Sequence, residues 1–123
     1  MGKWVSGAPG NGAWLSNRKA VNAITGNKPV QFVNGRPNFS PWSKGTIPFK
    51  PGKLKGTHKE FDLVYDFIKK QKGLASRNAA KNYLRKAKLT PHHLDNKTIQ
   101  LIPSPLHGKI PHIGSASDLR GGF

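Results

Sequence analysis

Fourteen glycines and ten prolines among 123 residues restrict this chain more than any other feature, because they cut it into short pieces. Proline lacks a backbone N–H and fixes φ, and glycine loses the most freedom on ordering, so neither sits comfortably inside a helix or a central strand. The longest uninterrupted runs lie between Gly56 and Gly73 and between Gly73 and Pro91, with shorter ones between Gly12 and Gly26 and between Pro91 and Pro103. Regular structure is therefore expected to concentrate in the second half of the chain. With hydrophobic residues at 35%, a small core wrapped in irregular segments is expected, and the length suits one domain.

Residues 1–29 are rich in Gly, Asn and Ala and show little periodicity, which predicts an irregular arm that docks through Trp4 and Trp14. The segment from Pro29 to Phe39, "PVQFVNGRPNF", reads as a β-hairpin turning at Asn34-Gly35, a pair that tolerates positive φ. An extended loop follows to residue 56. Thr57 and Glu60 have capping-box spacing, and Phe61, Val64, Tyr65 and Ile68 form one apolar helical stripe. Lys69, Lys70, Lys72 and then Gly73 suit that helix's end. A second helix is expected over 76–87, with Ala80, Tyr83, Leu84 and Ala87 facing the core and a set of cations on its solvated side. "KLTPHHL" and "TIQLIP" read as strands joined by a tight turn at Asp95-Asn96-Lys97. "SPLHGK" then starts a short helix with Ser104 as N-cap, which Pro111 must end or kink. The expected class is α+β: an irregular arm over residues 1–29, then a domain over 30–123 with two central helices and a C-terminal strand–strand–helix unit.

Charge narrows the partners. Twenty-one Lys and Arg against five Asp and Glu give +16 and a pI near 10.7. A polyphosphate suits such a surface, since each neutralised phosphate releases counterions; acidic membranes and acidic proteins are the alternatives on charge alone. With no cysteine, disulfides and thiolate-bound zinc are excluded. No apolar run approaches the roughly 20 residues that cross a bilayer.

Four of the five histidines, His92, His93, His107 and His112, fall within one C-terminal stretch. Imidazole is both a common metal ligand and the usual general base near neutral pH. Cutting a phosphodiester needs a nucleophilic water, a base to deprotonate it and positive charge on the developing phosphorane. A divalent cation held by two or three imidazoles supplies the charge, and a neighbouring unligated imidazole can supply the base. On spacing alone the competing reading is a set of surface histidines making loose contacts with nucleic acid. His58, at the start of the first helix, stands apart from the cluster.

The segment "PHHLDNKTIQLIPSPLHGKIPHIGS" resembles the HNH/endonuclease VII superfamily, in particular the branch of bacterial polymorphic-toxin nucleases labelled WHH or LHH. It is similar in its histidine pair, its second strand and its close at "IPHIGS". Upstream, "VNGRPNFSPWSKG" is similar to that branch's "G.PDFSPFS" segment, so the likeness spans roughly residues 30–117. The resemblance implies a ββα-metal (His-Me finger) motif around one divalent ion. It implies His92, His107 and His112 as metal ligands, His93 as general base, and Gln100, where such proteins usually carry Asn, as a group orienting the base and its loop. Asp95 is an alternative ligand to His112. Lys97, Lys109 and Arg120 are expected to contact phosphates. An all-imidazole set favours Zn²⁺ or Ni²⁺, whereas Mg²⁺ or Mn²⁺ would act with water and phosphate as further ligands.

The same resemblance implies the C-terminal toxin domain of a larger secreted protein, delivered into the cytoplasm of a target cell and blocked in the producer by an acidic immunity protein. No recognition-helix or zinc-finger pattern is present to read base edges. The expected activity is thus a metal-dependent DNase of little sequence specificity. The alternatives are an RNase on the same scaffold and a non-catalytic basic nucleic-acid-binding protein.

Overall fold

The computed structural model describes residues 2–108. Two antiparallel sheets and the helices that pack on them make up this region. The first sheet has strand order β1-β2-β3-β4, formed by Gly2–Ala8, Asn11–Ser16, Val30–Val33 and Arg36–Asn38. Helix α1 (Lys19–Thr25) connects β2 to β3. The second sheet has order β5-β7-β6, from Gly45–Pro48, Thr98–Pro103 and Leu89–Asp95 respectively. Helices α2 (Phe61–Lys72) and α3 (Arg77–Lys86) precede its hairpin, and the one-turn α4 (Ser104–His107) follows it.

The irregular arm expected over residues 1–29 is instead a hairpin and a helix. Pro9-Gly10 makes the turn, with Gly10 at φ 84°, the left-handed conformation that Gly supplies after Pro in a type II turn. The amide of Gly35, in the next hairpin's turn, donates to the carbonyl of Gly10 at 2.8 Å. The tryptophans do dock as expected: Trp14 is buried, and Trp4 packs edge-on against Phe32 with ring centroids 5.0 Å apart. The hairpin at Asn34-Gly35 forms as expected, both residues having positive φ.

The segment expected to be wholly extended loop contains a 3₁₀ turn at Ser40–Trp42 and strand β5. Beyond β5 the chain clasps the β6–β7 turn, as Phe49 N donates to Lys97 O at 2.7 Å and Leu54 N to Asn96 O at 2.9 Å. The capping box at Thr57 and Glu60 is present, opening a 3₁₀ turn (His58–Glu60) that runs into α2. Gly73 closes α2 in the left-handed conformation, and Ser76 caps α3 by accepting from Ala79 N at 3.1 Å. In α3 only part of the expected apolar face is covered. Ala80 and Leu84 are buried, but Tyr83 and Ala87 are exposed, and Lys72 Nζ lies 5.6 Å from the Tyr83 ring centroid. Ser104 is the first residue of α4 rather than its cap; its hydroxyl is hydrogen-bonded to that of Thr90 at 2.7 Å.

Two cores result. One gathers Trp14, Val21, Val30, Phe32, Phe39, Ile102 and Leu106 under the first sheet. The other gathers Ile47, Leu54, Val64, Ile68, Ala80, Leu84, Ile99 and Leu101 under α2 and α3. Strand β7 serves both, with Ile102 in the first and Ile99 and Leu101 in the second. Truncating Ile102 to Ala, at 0% exposure, is expected to lower unfolding free energy by about 2–5 kcal/mol. Val33→Ala, at 64% exposure, should change it by less than about 0.5 kcal/mol. Urea titration compares the two, and equal losses would contradict this division of the core.

Candidate functional site

The pleat of β6 separates the adjacent histidines. His92 lies opposite Gln100 and His93 opposite Ile99, and successive side chains of a strand point to opposite faces. His92 therefore shares a face with Thr90, Gln100 and Ile102, on the side of the first core. His93 shares a face with Leu89 and Ile99, on the side of α2. Among the described residues β6 is the edge strand of its sheet. Pro91 is tolerated there, since an edge strand leaves one side of its backbone unpaired.

On the first face, α4 brings His107 to His92, with ring centroids 5.3 Å apart. Phe39 backs both rings, its centroid 5.1 Å from His92 and 5.7 Å from His107. Burial, followed by the proximity of His107, Arg36 and His93, pushes the His92 pKa down to about 3. That ring is neutral at physiological pH and keeps a lone pair for a ligand. Gln100, on the same face, is buried; its amide donates to Ser40 Oγ at 3.0 Å, and its carbonyl oxygen has no hydrogen-bond partner among the described residues.

On the opposite face, His93 Nε2 lies 3.1 Å from Glu60 Oε1, and the ring packs against Phe61 at 5.1 Å between centroids. His58 also packs against Phe61, with ring centroids 5.0 Å apart. Arg36 fastens the backbone of the same stretch. Its guanidinium donates to the carbonyls of His93 at 3.1 Å and Leu94 at 2.9 Å, where the β6–β7 register shifts between His93 and Asp95.

Two of the expected metal ligands, His92 and His107, are thus brought together, and the expected base, His93, is held apart from them. Among the described residues no group of three His, Cys, Asp or Glu side chains is arranged to hold a metal ion. His112 lies outside the described residues, as do Lys109 and Arg120. The donor chemistry present, two imidazoles at one spot with one of them kept neutral, fits a borderline divalent cation such as Zn²⁺. Asp95 is engaged in its own turn, accepting from Lys97 N at 2.9 Å. Lys97 is exposed at the hairpin tip. Gln100 faces His92 and secures the 3₁₀ turn; the groups that hold His93 are Glu60 through its ring and Arg36 through its backbone.

Residues 88–122 match the family model described as "WHH: A nuclease of the HNH/ENDO VII superfamily with conserved WHH". The β6–β7–α4 unit within that stretch has the strand–strand–helix order expected of it, and the adjacent pair His92 and His93 lies inside it. Over that stretch the chain is similar to a family of nucleases. No curated protein and no solved structure matches the chain.

In the sequence Arg36, Phe39 and Ser40 carry no sign of these contacts, and Glu60 marks only a helix start. The one available signal for Glu60 was scarcity, as one of five acids in a chain of charge +16. Removing the Arg36 guanidinium as Arg36→Gln is expected to cost about 1–3 kcal/mol. Hydrogen exchange should quicken at the amides of β6 and not at those of α2. Unchanged exchange in β6 would show that Arg36 does not brace the strand.

Proposed function

We propose that this chain is a metal-dependent endonuclease that cuts DNA with little sequence preference. The observation that carries the reading is the meeting of His92 and His107 against Phe39, with His93 turned to the other side of the same edge strand. His92 and His107, with His112, would hold one divalent cation. When bound, that cation supplies positive charge to the phosphate under attack. His93 accepts the proton of the attacking water, whose oxygen forms the new bond to phosphorus as the bond to the leaving sugar oxygen breaks. Phe39 keeps the two ligand rings packed, and Gln100 keeps the Ser40–Trp42 turn against the hairpin. Lys97, Lys109 and Arg120 would bind phosphates of the strand as point charges that carry no sequence information.

The biological setting proposed is the toxin domain of a larger secreted polypeptide, delivered to the cytoplasm of a competing cell and neutralised in the producer by an acidic immunity protein. The charge of +16 supports fast association with such an inhibitor as well as with nucleic acid. No helix among the described residues is long and apolar enough to cross a membrane.

Three measurements test the assignment. His93→Ala is expected to abolish plasmid nicking while circular dichroism and DNA binding stay near wild type; normal cleavage by this variant would refute the base. Running total RNA beside plasmid, with and without chelator, separates DNase from RNase. In calorimetry the wild type should bind Zn²⁺ at one per chain. His107→Ala should weaken that binding by more than about tenfold, since losing even a group that merely supports a ligand costs about 10- to 100-fold. Absence of stoichiometric binding by the wild type would favour a non-catalytic nucleic-acid binder.

A further inference from the structure

We infer that Glu60 is the positioning residue for His93, holding its ring in one orientation as the Nε2–H tautomer. The inference rests on the proposed role of His93 as base, and the geometry behind it is independent of that role. One oxygen of Glu60, Oε1, gathers the backbone N–H groups of Lys55 at 3.0 Å, Gly56 at 3.0 Å and Thr57 at 3.1 Å, together with His93 Nε2 at 3.1 Å. Lys55 N also reaches Oε2 at 2.8 Å. Such a convergence of donors suits an anion, and an ionised carboxylate is an acceptor only.

Although burial alone would raise the Glu60 pKa, the N–H groups of Lys55 and Thr57, the His93 ring and the N–H of Gly56 outweigh it and hold the carboxyl below its usual value. Since Glu60 cannot donate, Nε2 must. In a neutral imidazole the lone pair then belongs to Nδ1. Both side chains are only 12% exposed, and Phe61 limits rotation of the ring. The carboxylate is itself held by the capping box at the start of α2. A helix terminus in this way fixes the orientation of a side chain 33 positions further along the chain.

The test uses the full ¹⁵N-labelled chain, with His93 signals identified by their loss in His93→Ala. Long-range ¹H–¹⁵N correlation should show the pattern of an Nε2–H ring for His93; an Nδ1–H ring, or averaging between the two, would overturn the inference. Glu60→Gln keeps capping-box chemistry and replaces an anion by an amide. It is expected to lower kcat by about 10- to 100-fold, the scale of losing a group that orients a working imidazole, with KM within about twofold. A kcat equal to wild type would overturn the inference. If instead His93→Ala still cuts DNA, the role of His93 as base fails, and the tautomer measurement still decides whether Glu60 sets the ring.

Discussion

Strand β7 belongs to two cores at once, and the rest of the structure depends on that double claim. "TIQLIP" is an almost continuous apolar run because both of its faces are covered: Ile102 by the first sheet and its helix, Ile99 and Leu101 by α2 and α3. Two-sided burial fixes the register of β6 against it, since a slip of one residue would exchange every side chain between faces. His92 and His93 inherit opposite directions from that register. The direction of each ring is thus decided by the packing of the partner strand.

The hairpin carrying these rings does not hold them unaided. Phe39 and Ser40 reach it from the segment after β4, Arg36 from β4 itself, and Glu60 from the start of α2. The acids among the described residues are put to structural use. Asp66 is paired with Arg77 at 2.6 Å and Asp62 lies 3.7 Å from the same guanidinium, Asp95 shapes the hairpin turn, and Glu60 joins a helix start to the His93 ring. Where positive charge is in such excess, each carboxylate has many available partners, and the ones it meets reflect geometry.

What was legible in the sequence was local. The capping box, the stripe of α2, the Asn34-Gly35 turn and the strands around Asp95-Asn96 all announce themselves through neighbours within a few positions. The N-terminal hairpin did not, because β1 is exposed along nearly its whole length and carries no alternating apolar pattern; only Pro9-Gly10 marked its turn. Strand β5 was hidden by Gly45 and Pro48 at its ends and needs β7, more than fifty residues later, as partner. The site divides in the same way. The histidines stand out as a cluster, but the contacts from Arg36 to the backbone of His93 and from Glu60 to its ring link distant positions and leave no periodic trace.

The bracing of β6 from three upstream points also bears on inheritance. The matched stretch begins at residue 88, yet Arg36, Phe39, Ser40 and Glu60 all lie before it. A chimera that transplanted only the matched stretch onto a foreign scaffold would carry the histidines without the grips that aim them. Recombination among such chains should therefore exchange the two halves together, and the unit that evolution can shuffle is larger than the signature by which it is found.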